Sequence, residues 1–321
     1  MRDDAVAPVI AAMLVLAVMV TIFSVWNAVA IPSMKAESEI SHLHEVEHAF
    51  MQFSADISNA VSMKQEITFS ETVPLGGGGV IFNSLTSSGT IRVDAEQLPL
   101  YNLIIFDNSI EYSQESRLVK FSYRPVGNYW QDQGYVWHYG YVNVTKGFSQ
   151  GSVDNAGMAT PLSFASMNEV NRAAPVKKFS GSFIDVTARP WFNSTMNCSA
   201  ITISAVTFNP SPYEQFTSGN GIGTFAVSAS LNETIFGIPD QAAPDLLTIR
   251  VNKSTPEPFA VDLYNKVNQS FRQLNQTYPN NIWHYADNSS PLYRETGIGH
   301  IDGRLPFVIT RKIMQVNVSA Y

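Results

Sequence analysis

His44-Glu45-Val46-Glu47-His48 is a stretch whose residue types and spacing could hold a metal. It fits H-E-x-x-H: histidines four apart share a helix face and can reach one zinc ion, while Glu45 stands where a peptidase activates water. Its neighbours argue otherwise. Glu47 puts a charge where zinc peptidases keep an uncharged residue, and Met51 and Ser54 stand where the longer zinc motif needs glycine and histidine. Glu66 or Glu71 could complete the ligand set only if the chain folded back. Three readings therefore stand for His44, Glu45 and His48: catalytic zinc, adventitious or structural metal, and a solvated helix face. The last is the expectation, with no cofactor and no enzymatic role assigned.

Other candidates for chemistry are sparse. The glycine run Gly76 to Gly79 lacks the lysine and following helix of a phosphate loop and reads as a turn. His138, His284 and His300 fall in separate segments, no serine occupies a G-x-S-x-G turn, and Asp3-Asp4 cannot build a cleft. Tyr135, Trp137, Tyr139 and Tyr141 alternate in what reads as one strand and so would share a face, either as a sugar-stacking surface or as core. Asn-x-Ser/Thr sequons occur at Asn143, Asn193, Asn197, Asn232, Asn252, Asn268, Asn275, Asn288 and Asn317. Composition alone would give about four, so the set points to export and N-linked glycans.

The composition agrees. Charged residues make up 15% of the chain, against about 25% in ordinary soluble proteins, so uncharged polar side chains must wet much of the surface. With 27 acidic and 20 basic residues, a net charge of −7 and no basic block, nucleic acid is excluded as a partner. Cys198 is the only cysteine, which rules out an intrachain disulfide and any cysteine-rich zinc site. It reads as a small buried apolar residue.

The elements that position these residues begin with an apolar run. Ala5 to Ile31 carries no charge and one amide, Asn27. As a helix it spans about 40 Å, more than the roughly 30 Å core of a bilayer. Leaving its large side chains in water would cost on the order of 20–40 kcal/mol, at about 1.5–3 kcal/mol each. A cleaved signal, cut after Ala28-Val29-Ala30, would need a basic start and an apolar core of about 7–15 residues. MRDD is not basic and the run is longer. A plain membrane anchor remains.

The segment MRDDAVAPVIAAMLVLAVMV also resembles the N-terminus of archaeal type IV pilins and pilin-like surface proteins. There a short charged leader runs into A-V-S-P-V-I-G and an unbroken apolar helix. Ala5, Val6, Pro8, Val9 and Ile10 match, while Ala7 and Ala11 replace the usual serine and glycine. PLGGGG followed by SSGTIRV looks like a block found after the stalk in larger members. The resemblance implies leader removal near Ala5 and Val6, although no lysine- or arginine-glycine pair marks a cut. It also implies a helix able to sit in lipid or pack with other pilin-like subunits in a filament.

Pro32 predicts a kink or restart at Ile31-Pro32-Ser33. Beyond it Leu43, Val46, Phe50, Phe53, Ile57 and Val61 recur at helical spacing to about Met63, an apolar stripe that should dock on the downstream domain. The remainder alternates β-branched and aromatic runs with Gly, Pro, Asn and Ser clusters. One helix interrupts them, carrying Phe259, Leu263, Val267, Phe271 and Leu274 on one stripe. The expected class is α+β: a leader at 1–5, a transmembrane and amphipathic stalk helix at 6–63, and at 64–321 an extracellular, mainly antiparallel sandwich or jelly roll with one amphipathic helix. The expected place is the cell membrane, single-pass, with a pilin-like structural subunit, a monomeric anchored adhesin and a membrane zinc peptidase as the functions to separate.

Overall fold

A computed structural model of the chain describes residues 6–77, 79, 86–107, 110–127, 133–146, 169–192, 194–237, 246–254, 257–301 and 307–321. Ala5 of the leader, the apolar stretch Val80-Ile81-Phe82 and the sequon residue Asn193 lie outside these. The fold is α+β, one long apolar N-terminal helix followed by a strand-rich domain.

The helix runs as α1 (Val6–Val25), one wide turn (Trp26–Ala30) and α2 (Ile31–Met63). The α-helix is interrupted and restarts at Ile31, beside Pro32, where a kink or restart is expected. A proline ring inside an α-helix collides with the carbonyl four residues earlier and offers it no N–H. Here the preceding turn widens to a π pattern in which the Ile31 N–H reaches the Trp26 carbonyl, five residues back, and the rod continues. It stops at Lys64, which turns left-handed (φ 48°) and closes its N–H on the Ala60 carbonyl at 3.0 Å.

Among the described residues, fourteen strands and two further helices come next. They are β1 (Ile67–Pro74), β2 (Ser88–Ala95), β3 (Tyr101–Asp107), β4 (Ile110–Ser116), β5 (Val119–Val126), β6 (Gln133–His138), β7 (Tyr141–Lys146), α3 (Glu169–Ser182), β8 (Ile184–Trp191), β9 (Ser194–Gly219), β10 (Ile222–Phe236), β11 (Leu246–Asn252), α4 (Glu257–Thr277), β12 (Ile282–Asp287), β13 (Tyr293–His300) and β14 (Val308–Ala320). Nine strands form a large sheet in the order β1-β10-β14-β9-β2-β5-β6-β7, with β8 also on β9. Five form a smaller one, β12-β13-β11-β3-β4. Among the described residues every pairing is antiparallel except β14 with β9. α4 packs on α3 and on the smaller sheet. α3 departs from the sequence expectation. One helix is expected in the domain, and α3 is a second, with Val176 and Phe179 buried against the core.

The stripe on α2 docks as expected. Leu43, Val46, Phe50, Phe53, Ile57 and Val61 are all buried. The Phe53 ring sits 4.6 Å from Phe121 on β5 and 5.2 Å from Phe225 on β10, so α2 lies against the large sheet. β1 returns along α2 in the opposite sense. His42 meets the Pro74 carbonyl at 3.0 Å, and Phe53 faces Phe69 at 6.1 Å between ring centres. The helix advance from 42 to 53 and the strand advance from 69 to 74 both come to about 16 Å, so the two run nearly parallel in space.

Candidate functional site

α1 leaves the domain at the end where His42 meets Pro74, and no described residue covers it. The large side chains of α1 and the wide turn after it, from Val9 to Val29, are 46–66% exposed, and none of the most apolar stretch is buried. Thr21 donates to the Ala17 carbonyl at 2.8 Å, Asn27 to Phe23 at 2.9 Å and Ser33 to Ala30 at 2.9 Å. The few polar side chains of the rod thus spend their donors on its own backbone, as a helix without water requires. Among the described residues this is the one helix long and apolar enough to cross a membrane.

The continuation of that rod is fastened along its length. At the end nearest α1, His42 holds the Pro74 carbonyl. Midway, Trp137 on β6 donates its indole N–H to Ser54 at 3.1 Å. At the far end, Lys64 and Lys266 of α4 both grip the Asp185 carboxylate on β8, the second at 2.8 Å. Lys266 also donates to the Gly181 carbonyl of α3, and Ser62 faces Ser182 at 3.2 Å. Burial lowers the Lys64 pKa despite its ion pair. Partial burial pushes the Asp185 carboxyl up, but hydrogen bonds from Lys266 and Lys64 outweigh it and hold the pKa below the ordinary aspartate value. A force or tilt applied to α1 therefore reaches the sheet through packed rings and polar pins at several heights.

His44, Glu45 and His48 are exposed on the side of α2 away from its buried stripe. His44 Nδ1 lies 3.7 Å from the Glu47 carboxylate. The chain does fold back: β1 brings Glu71 beside the helix, where burial and then Asp56 raise its pKa while His48 pulls it down. Even so, no three His, Cys, Asp or Glu side chains among the described residues form a group that could hold a metal ion.

Of the two readings of the aromatic residues, surface or core, the structure supports core, and it corrects the single strand expected for them. The four residues do not share a strand. β6 and β7 form a hairpin whose two-residue turn is Tyr139-Gly140, both with positive φ (53° and 82°). A side chain at 140 would come within 2.5 Å of the Phe179 ring, so glycine is required there for space as well as for φ. Tyr135, Trp137 and Tyr139 are buried and Tyr141 packs against the core. Trp137 contacts Phe121 and Phe179 edge-on at 5.5 Å. Tyr139 donates to Glu96 at 2.6 Å, and His138 lies 2.8 Å from the same oxygen. Burial pushes the Glu96 carboxyl up, but those two bonds outweigh it and leave the pKa low. Alternation by itself suggests an unbroken strand here, although a lone glycine weakens a strand interior and often marks a bend.

The sequons separate by environment. Asn143 is buried, which leaves no room for a glycan on its amide in the folded domain. Asn268 accepts from Thr296 at 3.1 Å and lies 2.8 Å from His284, while Asn252 donates to the Pro99 carbonyl at 3.1 Å. Asn197 and Asn275 are half-buried. Asn232, Asn288 and Asn317 are exposed. Exposed aromatic surface occurs elsewhere: the β8–β9 hairpin, on the side of the sheet away from α1, ends in Trp191, Phe192 and Met196, with Phe192 99% exposed.

Compared with known protein families, curated proteins and solved structures, the chain matches none.

Proposed function

We propose that the chain is a membrane-anchored, pilin-like surface protein with a structural task. α1 sits in the bilayer or packs with copies of itself and other pilin-like subunits, and the strand-rich domain faces outward, carrying N-linked glycans. The observation that supports this most is a charge-free helix left wholly uncovered by a domain into which its own continuation is locked. A free apolar rod is untenable in water, whereas a rigidly held one suits an anchor or a filament core. Leader removal near Ala5 and Val6 belongs to the same reading, as does the absence of any catalytic or metal role for His44, Glu45 and His48.

Electron microscopy of cells with antibody against the exterior domain tests it. Labelled filaments favour assembly through α1, diffuse envelope labelling favours a monomeric anchor, and recovery of a freely soluble product beginning near Ile31 rejects both. The exposed Trp191, Phe192 and Met196 support a second reading, an anchored binding protein or adhesin that presents an aromatic tip. Loss of surface adhesion on replacing Phe192 by serine, with anchoring intact, would favour it.

A further inference from the structure

β10 alternates cleanly: Gly223, Phe225, Val227 and Ala229 face the core, while Ile222, Thr224, Ala226 and Ser228 face the opposite side of the large sheet. Its partners inherit that division. Asn317 lies across from Ser228 and Ser319 across from Ala226, and Tyr321 exchanges both backbone hydrogen bonds with Thr224 at 2.7 and 3.1 Å. On the neighbouring strand, Phe216 pairs with outward Arg92, whereas Thr217 points inward at the site of Gly223. The outer face therefore carries an apolar patch of Phe216 (58% exposed), Ile222 (73%) and Tyr321 (55%), with the exposed sequon residue Asn317 and the half-buried Ser319 on the same face and Val318 turned into the core. Four residues of strand separate Asn317 from Tyr321, about 13 Å. No described side chain covers the patch; Ser, Thr and Asn stand around it, with Arg92, ion-paired to Asp94, at the Phe216 edge.

We propose that Asn317 is an N-glycosylation site whose own glycan lies along the outer face of the large sheet, its sugar rings stacked on Tyr321 and Phe216. This rests on the reading of the domain as exterior. The apolar faces of pyranose rings suit flat aromatic surfaces, and their hydroxyls suit the flanking Thr224, Ser319 and Arg92. A tethered sugar meets the patch at high effective concentration, so weak stacking suffices to keep it covered. Asn232 is also exposed, but it pairs with the buried Ile313 and lies on the far side of Asn317 from the aromatic pair.

The test uses full-length protein from its own membranes. Glycopeptide mass spectrometry should find Asn317 predominantly occupied. Enzymatic removal of glycans, or the variant Asn317→Gln, should raise binding of a dye that brightens on apolar surface several-fold. Asn232→Gln should leave dye binding unchanged, and in the Phe216→Ser/Tyr321→Ser double variant deglycosylation should no longer have an effect. A bare Asn317 beside occupied Asn232 and Asn288 overturns the proposal alone. Occupied Asn317 with unaltered dye binding after deglycosylation also overturns it, leaving the patch to a protein partner or a second copy. If every sequon is bare, the exterior reading loses its support as well.

Discussion

Replacing Phe53 by alanine should uncouple the rod from the domain more than any other single truncation on α2. The ring is fully buried, and it touches Phe121 at 4.6 Å, Phe225 at 5.2 Å and Phe69 at 6.1 Å, three strands of one sheet. Removing a buried phenyl costs about 3–5 kcal/mol through lost transfer free energy and the cavity left behind. Edge-to-face partners add within that range, at about 0.5–1.5 kcal/mol per pair. Against a typical domain stability of about 5–15 kcal/mol, this is roughly a fifth or more of the total. The assay is a urea titration of the full chain in detergent micelles followed by near-ultraviolet circular dichroism, which is dominated by the packed rings of the domain core. Phe23→Ala, at a residue 65% exposed on α1, serves as control and should shift the midpoint negligibly. A loss below about 1 kcal/mol for Phe53→Ala, or equal losses for the two variants, would refute the claim that α2 is a core element of the domain.

Three further outcomes rest on the same packing. Glu71→Gln should stabilise the domain at neutral pH, because burial and Asp56 raise the native carboxyl pKa and so penalise its charged form; the advantage should vanish as pH falls below the carboxylate range, as read by paired urea titrations. Asp185 has the opposite sign: its native pKa is depressed, so its contribution is present above the unfolded value and lost as pH falls through the folded one. Asp185→Asn should therefore cost about 1 kcal/mol at neutral pH, a figure limited by solvent screening of a half-exposed carboxylate, and flatten the acid limb of the stability curve. Gly140→Ala combines a left-handed φ of 82° with a clash against Phe179 at 2.5 Å, and thermal unfolding should register a loss of about 2 kcal/mol or more.

Much of the frame is legible without any tertiary contact. The stripe from Leu43 to Val61 emerges from spacing alone, since helical periodicity is a local property, and each of those residues is buried in the structure. Most strand segments are visible for the same reason. Sequence and structure part where a local signal has two meanings. Gly140 inside GYVWHYGYVNVT marks a hairpin turn, and α3 is held by packing that its own sequence hardly advertises.

What the amino-acid sequence determined by itself is the division of the molecule: a charge-free rod too long and too greasy for water, followed by a sparsely charged β-rich chain. Those properties are sums over neighbours in sequence, so no folding is needed to evaluate them. Tertiary structure alone decided which aromatic rings are core and which are surface, which sequons lie open, and that Glu71 comes near His48 without completing a metal site. Each of these depends on the pairing of segments far apart in the chain, β1 against α2 or β14 against β9 and β10. Strand register, which a single-residue slip would invert, sets which side chains face the core.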